Sequence, residues 1–422
     1  MSQSFDRMWA DLEPIGRASS GGYRRFAWTR EDHTLREWFS AEAAERGLDL
    51  TQDRAGNQWA WWGDPDAAVC AGRPGIATGS HLDSVPDGGA FDGPLGVVSA
   101  FAAIDALRTA GTEPHRPIGV VNFVDEEGAR FGVACGGSRV LTGAMRAERA
   151  LGLTDDSGLS LAQALATAGQ DVRHFGADPQ TLARVGAFVE LHVEQGRGLI
   201  DLDAPVGLAR DIWPHGRWRI DLPGEANHAG STRMQDRQDA MVALAEVVLA
   251  ARDAALRHCS VATIGKIAVQ PGGVNAIASH TTAWLDSRGP DEEPVRAVVA
   301  EVRERVERMG GRMAQESWTR PTLFDVGLST RLRRLLAAPT RAEVVGEDGP
   351  GDAVPLLGSG AGHDAGILAN AGIPVAMVFV RNPTGISHSP AEYAERADCH
   401  AGVNALSDCL AELVGPRAEP RR

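Results

Sequence analysis

The chain has 422 residues, of which 43% are apolar, and its formal net charge is −14. This length exceeds one ordinary hydrophobic core, so we expect two domains, and the apolar content excludes a disordered chain. An acidic chain lacks the basic face that nucleic acids and anionic membranes require. We therefore expect neither as a partner, and a small molecule as the substrate.

The sequence also indicates a compartment. No stretch approaches the roughly 18 uninterrupted apolar residues of a membrane helix, and the first residues lack a basic region followed by an apolar one. Cytoplasm is therefore the expected location. Five scattered cysteines without Cys-x-x-Cys spacing favour reduced thiols. Lys266 is the only lysine, which leaves almost no scope for Schiff-base or P-loop chemistry.

Short β-rich runs alternate with helical stretches in the first half of the chain. The predicted elements are a strand at 76–79, a helix at 96–110, and strands at 118–124 and 185–193. This alternation is typical of an α/β sheet with crossover helices. Ligands of such sheets bind just beyond the strand ends. His81, the segment 125–127 and His192 all stand at or just after these ends, where we expect them to converge.

Between about 212 and 327 the pattern changes. The predicted order is strand, helix, strand, strand, helix, strand, at 218–222, 237–258, 261–269, 281–286, 292–309 and 312–318. This order predicts a small ferredoxin-like α+β domain inserted into a larger one. The larger domain then comprises 1–211 and 328–422, and the run 373–380 completes its sheet. The Arg/Pro-rich tail after Val414 is predicted to be disordered.

Five separated segments carry residue types that bind divalent metal. They read GSHLD at 79–83, GAFDG at 89–93, DEEG at 125–128, ELHVEQG at 190–196 and GISHSP at 385–390. Together they supply enough imidazoles and carboxylates for two ions. Two bridged cations would make the chain a hydrolase whose nucleophile is metal-bound water.

A pair of cations about 3.5–4 Å apart needs one carboxylate that spans both. Asp92, in a run of glycines that lets the backbone approach closely, is the expected bridge. Asp83, two residues after His81, is expected to orient the imidazole rather than bind metal. Glu126 and Glu127 follow a strand, so their side chains should diverge, one binding metal and the other moving protons.

In this order, the five segments resemble those of the binuclear-metal amidohydrolases of the aminoacylase/carboxypeptidase superfamily. More narrowly, the chain is similar over about residues 23–393 to the branch of N-carbamoyl-L-amino acid hydrolases, β-ureidopropionases and allantoate amidohydrolases. His192 narrows the resemblance, because the peptidase branches place a carboxylate there. The resemblance implies an α/β, zinc-peptidase-like catalytic domain with a central mixed sheet. It also implies that the inserted domain acts as a lid and dimerises the chain into a homodimer.

The resemblance assigns ligands to two divalent ions per subunit. One ion would be held by Asp92, Glu127 and His388, and the other by His81, Asp92 and His192. These donors accept zinc or manganese, and also cobalt or nickel.

The resemblance further implies catalytic and substrate-binding roles. Glu126 would be the general base, and His228 would reach into the neighbouring subunit's site and stabilise the oxyanion. Arg288 would receive a substrate carboxylate through two parallel hydrogen bonds. The remaining implied substrate contacts are Gln195 and Asn275 to the ureido group and Gly360 in a glycine-rich loop. His363 and Asp364 would support that loop.

The expected reaction is hydrolysis of the carbamoyl C–N bond of allantoate, which releases ammonia, carbon dioxide and ureidoglycine. Arg233 favours this substrate, because many N-carbamoyl amino acid hydrolases carry proline at that position. The first alternative is an N-carbamoyl-L-amino acid hydrolase or β-ureidopropionase. An aminoacylase or dipeptidase is a second, against which His192 argues. A non-catalytic metal-binding or ligand-sensing protein is a third, against which the full set of ligands and the base argue.

Overall fold

The computed structural model describes residues 2–337 and 354–415. The chain divides into two compact units, of which the first comprises Met1–Arg210 and Leu323–Arg422 and the second comprises Asp211–Thr322. The second unit ends five residues before the predicted boundary at 327, because Phe324 and Asp325 already hydrogen-bond to first-unit carbonyls, those of Arg210 and Val375. The tail predicted to be disordered lies, after residue 415, outside the described residues.

Helices and strands alternate along the chain. The helices are α1 (Ser2–Leu12), α2 (Arg30–Glu45), α3 (Pro65–Cys70), α4 (Pro94–Thr109), α5 (Gly136–Leu141), α6 (Ala147–Leu151), α7 (Leu161–Thr167), α8 (Pro179–Ala183), α9 (Gly198–Asp201), α10 (Ala240–Arg257), α11 (Glu292–Arg308), α12 (Val326–Ala337), α13 (Asp364–Asn370) and α14 (Arg396–Val414), with a 3-10 helix at Met234–Asp236. The strands are β1 (Asp49–Gln52), β2 (Gln58–Trp62), β3 (Gly75–His81), β4 (Ile118–Phe123), β5 (Val185–Val193), β6 (Val206–Ile212), β7 (His215–Pro223), β8 (Val261–Gln270), β9 (His280–Arg288), β10 (Arg312–Thr319), β11 (Thr322–Leu323), β12 (Leu356–Ser359) and β13 (Val375–Val380).

A mixed sheet forms the centre of the first unit. Its strand order within the described residues is β1-β2-β4-β3-β5-β13-β6-β11, with β12 paired to β6. The inner strands β4, β3, β5 and β13 are parallel, whereas β2 and β6 join them antiparallel. The inner strands are buried along almost their whole length, as expected for strands covered on both faces. The expected mixed α/β fold is confirmed, and the carboxyl ends of β3, β4 and β5 point to one edge.

Helix α4 is the central helix of this unit. It starts with Pro94 at a position where proline's fixed φ is already helical, directly after Gly93 with φ +85°. Thirteen of its sixteen residues are buried, because it packs on β3 and is covered by α14. The start of this helix therefore fixes the preceding segment, which contains Asp92, against the sheet.

The second unit has the predicted βαββαβ order. Its strands pair antiparallel in the order β10-β7-β9-β8. Alternate residues of β7 are buried, and α10 and α11 pack on that face to form a separate apolar core. Strand β8 is one of the two edge strands, beside β9, and it is mostly exposed. A register shift between Ile264 and Lys266 interrupts it, and the Lys266 ammonium lies 5.1 Å from the centre of the Trp284 ring.

All five cysteines are free thiols, with Cys135, Cys399 and Cys409 buried. None of the described helices combines the length and the apolar character that a membrane crossing requires. The cytoplasmic location stays a prediction.

Candidate metal centre

Two imidazoles face the same carboxylate at the carboxyl ends of parallel strands. His81 ends β3 and His192 lies near the end of β5, and both are buried. Each ring is oriented by a backbone carbonyl, because Nδ1 of His81 lies 3.1 Å from the oxygen of Asp83 and Nδ1 of His192 lies 2.9 Å from that of Val193. Since Nδ1 carries the donated proton, Nε2 is left to bind a metal ion.

Both Nε2 atoms fit a cation. They are buried, and among the described residues neither has a hydrogen-bond partner of acceptable geometry. The nearest opposite group is Asp92, whose Oδ1 lies 3.7 Å from Nε2 of His81 and 3.2 Å from Nε2 of His192. Buried polar atoms normally have partners, so their convergence on one carboxylate oxygen indicates a ligand position.

Asp92 presents its second oxygen to a different set of residues. Oδ2 lies 3.3 Å from Nε2 of His388, and the same nitrogen lies 3.6 Å from Oε2 of Glu127. Two ligand triplets, His81–Asp92–His192 and Asp92–Glu127–His388, therefore share Asp92, and the ligand atoms of each triplet lie within 4.8 Å of one another. One carboxylate between two sets of imidazole and carboxylate donors is the arrangement of a two-metal site.

Electrostatics agree with this geometry. Burial alone would raise the pKa of Asp92, but contacts with three imidazoles hold it well below its ordinary value. The contact with Asp92 raises the pKa of His388 to about 9. The carboxylate is thus ionised and the imidazole holds a proton facing it. A cation bound by His388 would replace this proton, which couples metal binding to proton release.

Glu126 lies beside the first triplet without belonging to it. Its Oε2 is 3.8 Å from Nε2 of His81, and the thiol of Cys135 donates to its Oε1 over 3.4 Å. Burial raises the pKa of the Glu126 carboxyl well above its ordinary value, and the nearby His81 only partly offsets this. Burial, reinforced by Asp92, also raises the pKa of Glu127, to about 7. The two neighbours diverge as expected, with Glu127 facing His388.

Asp83 contacts both His81 and the turn that carries Glu126 and Glu127. Its backbone oxygen orients His81, while its carboxylate lies farther from the ring nitrogen, at 3.4 Å. The carboxylate oxygens instead accept the backbone N–H groups of Glu126 and Glu127, each over 3.1 Å. The turn that carries the two glutamates begins at Asp125, which has φ +58°. Asp83 thus fixes this turn as well as the histidine.

Gln195 and Gly360 both lie in the first unit. The Gln195 amide donates to Asp92 Oδ2 over 2.7 Å and to Ser387 Oγ over 3.2 Å. The expected ureido contact thus lies against the ligand cluster, with its amide engaged by Asp92. Gly360 follows β12 directly. In the same loop, His363 contacts Ser359 Oγ over 3.0 Å, and its ring packs edge-on against His192.

The other expected substrate contacts lie in the second unit. His228 Nδ1 accepts the N–H groups of Gly230 and Ser231 over 3.0 and 3.1 Å, which places the proton of a neutral ring on Nε2. Asn275 is adjacent, since its backbone oxygen accepts the N–H of Ala229. The Arg288 guanidinium is engaged by Asp286, through contacts of 2.6 and 3.0 Å. A substrate carboxylate would compete with Asp286 for it.

A third group of possible ligands, Glu190, His192 and His363, lies behind the first triplet. Both oxygens of Glu190 already accept hydrogen bonds, from the Ser80 hydroxyl over 2.7 Å and from the Ala365 N–H over 3.3 Å. We therefore interpret Glu190 as support for the loop. No role was predicted for Glu190, Cys135, Ser387 or Glu392. Glu190 and Ser387 lie within two of the five segments, but nothing in the local sequence of these four residues indicates a supporting role.

Comparisons with known proteins agree with this site. The profile of Peptidase family M20/M25/M40 matches residues 77–412. The chain is 36% identical to the N-carbamoyl-L-amino acid amidohydrolase of Geobacillus stearothermophilus, with 97% of this chain and 98% of that protein covered. It is 31% identical to the allantoate amidohydrolase of Bacillus subtilis, with 96% and 95% covered. A solved amidase of the hydantoinase/carbamoylase family from Burkholderia vietnamiensis is 30% identical, with a TM-score of 0.85 and coverage of 98% and 97%.

The chain therefore belongs to Peptidase family M20/M25/M40, and the resemblance drawn from the five segments is confirmed. It is an amidohydrolase, which acts on carbon–nitrogen bonds other than peptide bonds. Its first unit holds His, Asp and Glu groups that can bind metal.

Proposed function

We propose that the chain is a binuclear metallohydrolase that cleaves the carbamoyl C–N bond of a small ureido acid. The observation that carries this proposal is the position of Asp92, whose two oxygens face two separate ligand sets. His192 in the first set is the imidazole by which the sequence resembles the carbamoyl branch rather than the peptidases.

The chain's own residues supply the proton transfers. Two divalent ions, when bound, polarise the ureido carbonyl and lower the pKa of water. Glu126, buried and with a raised pKa, takes the proton of the attacking water and returns it to the leaving nitrogen. His228 donates Nε2–H to the developing oxyanion in the site of a second subunit. The carbamate formed from the ureido carbonyl decays to carbon dioxide and ammonia.

Allantoate is the proposed substrate. Arg233 supports this choice of substrate. Its side chain is 72% exposed in the loop that follows His228, and its guanidinium forms an ion pair with the carboxylate of Asp236 over 2.6 Å. Allantoate carries a carboxylate and two ureido groups, so it offers acceptors to an additional cation. N-carbamoyl-L-amino acids are the second candidate, favoured by the 36% identity to an enzyme named for that substrate.

A homodimer formed through the second unit is part of the proposal. Exposed apolar side chains lie along α10 and β8: Met241, Val242, Val248, Leu249, Leu256, Val261 and Ile267. Strand β8 also leaves one edge of its sheet without a neighbouring strand within the described residues. Such an edge pairs readily with another chain. A second copy would cover the apolar surface and bring a partner's His228 to each site.

The deciding experiment is a substrate panel on protein stripped of metal and reloaded with zinc or manganese. Ammonia release is measured with allantoate and N-carbamoyl-L-amino acids, release of the free amino acid is measured with N-acetyl amino acids, and the products are separated by chromatography. We expect ureidoglycine from allantoate and no cleavage of the N-acetyl compounds. Faster cleavage of N-acetyl compounds, or no ammonia from any ureido compound at full metal loading, would contradict the proposal.

Arg233→Ala distinguishes the two candidate substrates. We expect it to lower kcat/KM for allantoate by about 10-fold, the effect of one charge-assisted hydrogen bond, and to leave N-carbamoyl-alanine unaffected. Arg173→Ala is the control, since Arg173 also lies on the surface and also pairs with one aspartate, Asp171. An equal loss on both substrates would show that Arg233 does not select allantoate, and its support for that substrate would be lost.

A further inference from the structure

Glu392 joins two ligand segments that are distant in sequence. It is 5% exposed, and its Oε1 accepts the consecutive backbone N–H groups of Phe91 and Asp92 over 2.8 and 2.9 Å. Its Oε2 accepts the hydroxyl of Ser387 over 2.8 Å. One carboxylate therefore holds the backbone of the shared ligand Asp92 and, through Ser387, the residue next to the ligand His388.

The approach of Glu392 to this loop depends on Gly89. A Cβ at that position would lie 2.4 Å from both Cβ and Oε1 of Glu392, far below ordinary contact. Only glycine therefore leaves room for the carboxylate to reach the two N–H groups. The space and the three accepted hydrogen bonds together form a preformed site for this side chain.

Ser387 links Gln195 to Glu392. The Gln195 amide donates to Ser387 Oγ over 3.2 Å, and the single hydroxyl proton faces Glu392 Oε2 at 2.8 Å and, farther away, Asp92 Oδ2 at 3.3 Å. The network thus runs from Gln195 through Ser387 to Glu392, on the side of Asp92 Oδ2. It ends beside His388, a non-glycine residue at φ +54°, a conformation that persists only where the surroundings impose it.

The two histidines of the other triplet are held differently. His81 and His192 lie on buried strands, and each is oriented by a nearby carbonyl. His388 lies on a loop, and its side chain is 52% exposed. The Asp92 segment has a second support, because Leu95 N–H donates to Phe91 O at the start of α4. Loss of Glu392 should therefore affect His388 most.

We propose that Glu392 is a positioning residue that assembles the ion site made by Asp92, Glu127 and His388, while the site made by His81, Asp92 and His192 forms without it. This inference rests on the proposed two-metal function. It assigns Glu392 no contact with substrate or metal, and it makes the occupancies of the two positions separable.

The test is metal binding to full-length variants, measured by titration calorimetry and by metal content after dialysis against zinc of known concentration. We expect two ions per chain in the unchanged protein. We call the ion held by His81, Asp92 and His192 the first ion and the ion held by Asp92, Glu127 and His388 the second ion. In Glu392→Ala the first ion is retained and the second binds about 10- to 100-fold more weakly, the usual effect of losing a residue that orients a ligand. Glu392→Gln is intermediate, because its amide oxygen still accepts the two N–H groups but its NH2 group cannot accept from Ser387.

Two further variants keep the test decisive. Ser387→Ala keeps the two N–H contacts of Glu392 with the Asp92 segment and removes its link to the His388 segment, together with the longer contacts of Ser387 with Asp92 and Gln195. It should therefore weaken the second ion even if Glu392→Ala fails to fold. Glu42→Ala is the matched control, since Glu42 is an equally buried carboxylate that binds Arg7 and Arg46 away from the ligand segments. It should lose stability and keep both ions.

The outcomes separate this inference from the proposed function. If the unchanged protein binds fewer than two ions, the two-metal proposal itself is wrong. If it binds two, unchanged affinity for the second ion in both Glu392→Ala and Ser387→Ala overturns the positioning role. Equal weakening of both ions in Ser387→Ala, with its folding intact, overturns it as well, because the effect would then act on Asp92 alone.

Discussion

Replacing Gly93 by alanine should disrupt the first ion site, which is made by His81, Asp92 and His192, by adding a single methyl group. A Cβ at residue 93 would lie 2.4 Å from Cε1 of His81, whereas ordinary contact begins at 3.4 Å, so the ring must move by 3.4 − 2.4 = 1.0 Å. Metal–ligand distances tolerate only about 0.2 Å. We therefore expect the first ion to bind at least about 10- to 100-fold more weakly, a loss of roughly 1.4–2.7 kcal/mol.

Backbone strain must be separated from this effect, because Gly93 has φ +85° and ψ −59°, a rare and strained conformation for a residue with a side chain, so alanine there also costs stability. Gly143→Ala provides the control, since Gly143 has φ +78° and its added Cβ would meet nothing closer than 3.7 Å. Both variants are compared by urea unfolding without metal and by calorimetric zinc titration. Similar zinc affinities for the two variants would refute the reasoning, because strain alone would then account for Gly93→Ala.

Three other predictions test the site and its surroundings. Glu126→Gln should lower kcat by about 10²- to 10⁴-fold while both ions stay bound, as metal analysis and ammonia assays would show, and unchanged turnover would exclude Glu126 as the base. Removal of metal by a chelator should destabilise only the first unit, because that unit supplies all five proposed ligands. The expected loss is about 2.7 kcal/mol for each ion that was present at 100-fold its Kd. Calorimetry that shows the unfolding temperatures of both units falling equally would contradict this. Burial alone would raise the pKa of Glu42, but hydrogen bonds from Arg7 and Arg46 hold this pKa below its ordinary value of 4.5. The ionised carboxylate therefore stabilises the fold at pH values above 4.5. This contribution is lost as the pH falls through the lowered pKa. Glu42→Gln should thus cost about 1–3 kcal/mol at neutral pH and flatten the acid dependence of urea unfolding, and an unaltered acid profile would count against it.

The sequence predicted the elements whose signals are local. Periodicity gave the buried strands β4 and β5 within one residue and the βαββαβ order of the second unit. It also placed His81 and His192 at strand ends, because parallel strands share one carboxyl edge. The alternation of neighbouring side chains predicted that Glu126 and Glu127 diverge, and they face His81 and His388 respectively. Their roles as base and ligand stay a prediction.

Contacts between distant segments could not be predicted. Glu392 lies 300 residues from the N–H group of Asp92, and its local sequence carries no metal-binding pattern. The engagement of Arg288 by Asp286 depends on side-chain conformation, which periodicity does not determine. The boundary at 322 rather than 327 follows from hydrogen bonds of Phe324 and Asp325 to the carbonyls of Arg210 and Val375, which lie far away in the sequence on either side. The Glu392 contact and the boundary become visible only when the partner segments are in place.

The single lysine has a practical consequence. Lys266 lies on the exposed edge strand β8, beside the Trp284 indole. Reagents that react with amines would therefore modify this chain at one side chain, besides the terminal α-amine. A dye attached to Lys266 would sense whatever approaches β8, with the neighbouring indole as a fluorescence donor. A short bifunctional reagent would join the Lys266 side chains of two copies only if their β8 edges come together.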